Sequence, residues 1–157
     1  MSLESVKSHL AEVAPDLTVL ETTDSSATVD LAAAAHGVEP AQIAKTLSFK
    51  LKDDVFLVVA RGDARLDNKK AKAAFGGKVK MLGLEEVEAL TGHPVGGVCP
   101  FGLAQPLKVY CDESLKAFSE VIPAAGATNA AVRISPERMA EITDATWVDV
   151  CQDPAGA

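Results

Sequence analysis

Apolar residues at Leu3, Val6, Leu10 and Val13 recur at helical spacing. Ser2 is placed to cap that helix, and Pro15 closes it. Leu17 to Leu20 reads as a short strand. Thr28 to His36 is Ala-rich and predicts a helix, with Ser26 or Thr28 as N-cap and Gly37 as its stop. Pro40 opens one more helical turn over Glu39 to Ile43. Lys45 to Leu51 then alternates with period two, a strand with Leu47, Phe49 and Leu51 on its apolar face. After a turn at Asp53-Asp54, the continuous apolar run Val55 to Ala60 predicts a central strand paired with it. Asp67 caps a helix over Asn68 to Phe75, which Gly76-Gly77 ends. Lys78 to Met81 reads as a strand and Leu84 to Leu90 as a helix stopped by Gly92. Four further strands are expected at Leu107–Cys111, Val121–Ile122, Ala130–Ile134 and Trp147–Val150. Ser135-Pro136 starts a helix between the last two, and the tail after Asp153 reads as disordered.

Strands and helices mix without a regular βαβ alternation. The expectation is an α+β fold with a mixed, strongly curled, barrel-like sheet of about six to seven strands flanked by helices. A length of 157 residues points to a single free-standing domain over residues 1–157, and 48% hydrophobic residues suffice for a core. No apolar run reaches membrane-spanning length, and the N-terminus lacks signal-peptide character. Cys99, Cys111 and Cys151 form no CxxC and no even-numbered framework. A cytoplasmic protein with free thiols is therefore expected.

Charge changes the picture, because the net −7 is unevenly spread. Lys45 to Lys80 holds ten Lys and Arg against four Asp, a net of +6; the remaining residues carry −13. Such a block suits an anionic partner, and equally suits an ordinary solvated surface.

The candidate chemistry centres on residues 92–102, where four glycines and two prolines exclude regular structure. The stretch reads either as a surface turn or as a cradle of main-chain N–H groups for an oxyanion. Lys45 shares the parity of Leu47 and Phe49, so its amine either serves a cleft or snorkels to water. His93 with Cys99 reads as a base and thiol nucleophile or as a buried cysteine beside a turn. His9, His36 and His93 share no ligand spacing, so neither a metal nor another cofactor is expected.

Four segments in order resemble the YbaK and prolyl-tRNA-synthetase-associated editing family of aminoacyl-tRNA deacylases. They are Ile43-Ala44-Lys45-Thr46-Leu47; Ala60-Arg61-Gly62-Asp63 followed by Leu66 to Lys70; Gly92 to Gly102; and Gly126 to Ile134 ahead of Pro136. The resemblance covers nearly the whole chain. It implies hydrolysis of the ester joining a wrong amino acid to the terminal adenosine of a tRNA. The amino acid expected is a small one, such as Cys or Ala on a proline tRNA. Lys45 would contact the phosphate or ribose end of the substrate. Gly96 and Gly97, in a Gly-x-x-x-Pro loop ending at Pro100, would help hold the water, with the ribose hydroxyl assisting. The implied substrate-binding set is Thr28, Asp63, Lys69, His93, Val98, Cys99, Pro100, Phe101, Gly102, Gly126 and Asn129. The implied partners are the tRNA acceptor end and prolyl-tRNA synthetase, with neither membrane nor DNA. Where some members carry a tyrosine after the first loop glycine, this chain has His93. A non-catalytic acceptor-end or nucleotide-binding module stays open, as does a Cys99-dependent hydrolase.

Overall fold

The computed structural model describes residues 2–152. The chain opens with α1 (Ser2–Val13), β1 (Leu20–Glu21) and α2 (Val29–His36). A 3-10 turn at Pro40–Gln42 leads into the long hairpin β2 (Ile43–Leu51) and β3 (Asp54–Arg61). Then come α3 (Asn68–Phe75), β4 (Lys80–Met81), α4 (Leu84–Thr91) and β5 (Lys108–Asp112). The last elements are β6 (Ile122–Pro123), β7 (Ala130–Ala131), α5 (Pro136–Ile142) and β8 (Thr146–Val148). The helix signals act as read. Thr28, Asp67 and Ser135 cap α2, α3 and α5 with their side-chain oxygens, and Gly37, Gly76 and Gly92 end α2, α3 and α4. Ser2 is the exception: it lies within α1, and its hydroxyl is committed to His93.

The main sheet runs β4-β2-β3-β5-β8, with β6 also on β2, and β1 pairs with β7 separately. It is mixed: β2–β3 and β2–β4 are antiparallel, whereas β3–β5, β5–β8 and β2–β6 are parallel. The α+β class holds, but the barrel does not. The path is open at β4 and β8, which have two and three residues. Closure needs strands long enough to tilt and stagger around an axis, and these are too short. The expected strand at Ala130–Ile134 likewise shrinks to β7, because its later residues make isolated bridges instead of a ladder. The tail after Asp153 lies outside the described residues. No helix among those described is long and apolar enough to cross a membrane.

Both sheet faces are covered. Leu57 and Val59 of β3 join Val6, Leu10, Phe101, Val109, Cys111 and Met139 on one side. Phe56, Val58 and Ala60 join Phe49, Ala71 and Val150 on the other. Hence Thr46 and Ser48 of β2, polar in the alternation, face packed protein rather than open water.

Candidate functional site

The register of β2 creates a gap. β6 pairs with it at Ile43 and Ala44, and β4 at Phe49 and Lys50. The Ser48 carbonyl accepts from the Leu82 amide at 3.1 Å, so even-numbered residues present their main-chain groups to that outer edge. Between the two short strands the edge is uncovered around Thr46. A cavity of about 250 Å³ straddles it.

Ser26 to Val29 at the start of α2 form part of the wall, with Ile43 to Ser48 of β2. Met81, Leu82, Leu84 and Val87 close one side, Val95, Gly96 and Val98 another, and Ile122, Ala124, Ala130 and Ala131 the rest. Lys45 is the one charged residue among these lining residues, and none of them is Asp, Glu, His or Cys. The Thr46 hydroxyl is buried and lacks a hydrogen-bond partner among the described residues.

Four of the residues singled out in the sequence therefore share this cavity: Thr28, Lys45, Gly96 and Val98. The Lys45 ammonium donates to the Ala64 carbonyl. Burial lowers its pKa, opposed by Cys151 and Asp63 and reinforced by Arg65. Asp63 itself is held in a two-pronged pair by Arg61, at 2.5 and 2.9 Å, which keeps its carboxyl below the usual value.

The glycine loop meets the second small-residue loop. The Gly97 carbonyl accepts from the Gly126 amide at 3.0 Å. A Cβ on Gly97 would stand 2.7 Å from the Ala127 amide nitrogen, so only glycine allows this approach. The Gly97 amide is occupied, donating to the Pro94 carbonyl at 2.8 Å. By contrast, the Gly96 and Val98 amides have no acceptor among the described residues. Gly96 also needs its freedom, with φ +91° and its Cα packed on Ala27.

The other expected site residues stand elsewhere. His93, Cys99 and Phe101 are fully buried behind the loop. The His93 Nε2 lies 2.7 Å from the Phe101 carbonyl, which can only accept; Nε2 therefore carries the proton, and Nδ1 accepts from the Ser2 hydroxyl. Burial lowers the His93 pKa, with the Phe101 bond opposing. The Cys99 sulfur is 3.6 Å from that same Nε2, which is a donor here and no base. Burial pushes the Cys99 thiol up to about 12. A thiol at that value is protonated near neutrality, which removes the Cys99-dependent hydrolase reading. Pro100 is buried and Gly102 is half-buried beside them. Asn129 ties the second loop to Thr22 by donating to its carbonyl at 3.0 Å, and Gly126 is buried in the clasp. Lys69 is exposed on α3.

Sequence reasoning missed Thr46, Ser26, Ser48 and the apolar wall of Met81, Leu82, Leu84 and Val87. The signal available was the pair of small hydroxyls at 46 and 48, on a strand whose two faces are both covered.

Comparison with known proteins gives consistent findings. Residues 23–142 match the sequence profile of the aminoacyl-tRNA editing domain. The chain is 48% identical to the uncharacterized protein YwhH of Bacillus subtilis, over 98% of this chain and 99% of that one. It is 33% identical to EbsC of Enterococcus faecalis, a candidate Cys-tRNA(Pro)/Cys-tRNA(Cys) deacylase by name, over 73% of this chain and 71% of that one. A solved structure described as a candidate trans-editing enzyme for prolyl-tRNA synthetase superposes with a TM-score of 0.89 at 35% identity, covering 97% and 98% of the two chains.

Proposed function

Since the chain belongs to the aminoacyl-tRNA editing domain family, we propose that it is a trans-acting deacylase of mischarged tRNA. Its substrate in this reading is a proline tRNA carrying a small wrong amino acid such as Cys or Ala. The amino acid occupies the cavity, whose volume lies below the ~300–1,000 Å³ of sites for larger ligands. Water adds to the ester carbonyl carbon, the acyl–oxygen bond breaks, and the ribose oxygen leaves with a proton. The Gly96 and Val98 amides face the charge that develops on the carbonyl oxygen. Lys45 takes the phosphate or ribose end, exchanging the Ala64 carbonyl for it. Prolyl-tRNA synthetase is the corresponding protein partner.

The observation that carries this reading is the composition of the wall. It has one cation, spare main-chain donors, and neither a side-chain nucleophile nor a titratable base. Such a site suits an activated ester, for which positioning and oxyanion stabilisation supply much of the acceleration. The test is release of amino acid from a panel of mischarged tRNAs, with Cys and Ala on proline tRNA first. Release above the uncatalysed rate is expected, and Lys45→Ala should lower it at least 100-fold with the unfolding midpoint unchanged. Salt-dependent tRNA binding with no release from any ester would favour the non-catalytic module instead.

A further inference from the structure

Lys50 and Lys80 stand directly opposite each other in the β2–β4 ladder. The 3.1 Å bond from Leu82 to Ser48 sets the alternation, so the Lys50–Lys80 pair is a hydrogen-bonded one. Its Cα atoms are therefore about 5.5 Å apart, with both side chains on one face. Like charges in that arrangement destabilise a sheet. Both lysines are exposed, and neither has an ion pair among the described residues. Lys52 and Lys78, also exposed, lie two residues farther along the same two chain segments. Even with Asp53 and Asp54 in the adjoining turn, this corner is net positive.

Its position matters more than its charge. Lys50 shares a face of β2 with Thr46 and Ser48, both of which line the cavity. Lys80 shares that face with Leu82, which lines it from β4. At about 3.3 Å per residue, the Lys50 Cα lies roughly 13 Å along the strand from that of Thr46. A polar track thus runs from the cavity to a doubled cation at the surface.

We propose that Lys50 and Lys80 form a phosphate-binding clamp for the single-stranded RNA that leads into the cavity. This deepens the deacylase reading and rests on it for the identity of the RNA. Each lysine contributes a point charge that satisfies a phosphate oxygen, and the cost of holding two ammonium groups together falls when the phosphate arrives.

The test compares wild type with the Lys50→Ala/Lys80→Ala double variant on two substrates. One is a mischarged tRNA; the other is the same amino acid esterified to adenosine, which has no phosphate. The double variant should raise KM for the tRNA about tenfold, leave kcat in place, and leave hydrolysis of the adenosine ester unchanged. The log–log salt slope of tRNA binding should fall by about 1.4, near 0.7 for each phosphate charge lost on a single strand. Lys50→Arg/Lys80→Arg should restore most of both. Unchanged KM and salt slope, or equal losses on both substrates, would overturn the clamp. If wild type hydrolyses neither ester, the deacylase reading fails, and the clamp is judged on uncharged tRNA with and without its single-stranded 3′ end. Loss of the variant's salt-slope difference on trimming that end supports the clamp; an equal difference on both RNAs sinks it.

Discussion

Thr46 carries a buried hydroxyl with no partner among the described residues, on a wall otherwise built of apolar and small groups. Leaving such a group unsatisfied costs about 1–3 kcal/mol. Thr46→Val keeps the shape and removes the cost. The expected outcome is an unfolding free energy equal to wild type or higher by about 1 kcal/mol, with kcat/KM on mischarged tRNA reduced at least tenfold. Denaturant titration and the deacylation assay read the two effects separately. Stability and activity both lost would mean that Thr46 serves packing alone. This residue also shows where reading the sequence stopped. Lys45, Gly96, Thr28 and Val98 were legible because charge and glycine stand out against their neighbours. Thr46 was not: alternation assigned it to the polar side of a strand, and only the second layer of core reveals that this side is covered.

The elements that shape the cavity are two loops clasped back to back. Gly97 lies against the main chain of Ala127, and its carbonyl holds the Gly126 amide. A methyl group at 97 would meet backbone atoms at 2.7–3.0 Å, which cannot rotate away. Gly97→Ala should therefore lower the unfolding free energy by about 1–3 kcal/mol, the usual cost of overpacking, and should impair deacylation by displacing Gly96 and Val98 from the wall. A variant with wild-type stability would show that the loops part at little cost. Both loops were visible in the sequence as runs of small residues, but their contact was not, since some thirty residues separate them. The long elements were equally visible: period two marked β2, and caps marked α2, α3 and α5. What misled was the inference of a barrel. Counting strands says nothing of their length, and the edge strands β4 and β8 run for only two and three residues.

At the scale of the molecule, the buried histidines make stability depend on pH. Burial lowers the pKa of His93 and of His36; Arg133 lowers the second further. Both start from 6.5 in the unfolded chain. Between that value and each lower folded value, the unfolded chain binds more protons, so stability falls as pH is lowered through this window. Each histidine contributes at most about 1.4 kcal/mol per pH unit. A second window lies below 3.8, where the Arg138 guanidinium holds the Asp16 carboxyl at about 2 and Arg61 holds Asp63 low. Those carboxylates lend stability that is present above 3.8 and lost as acid protonates them. The two windows separate in a denaturant titration repeated from pH 8 to pH 3. His93→Gln should flatten the upper slope, leave the lower one, and loosen α1 from the loop, because the Ser2 hydroxyl loses its acceptor. An upper slope unaltered in that variant would mean that His93 takes up its proton in the folded state as readily as in the unfolded one. The sealed cluster behind the glycine loop would then be open to water, and so would the wall of the cavity that this loop supports.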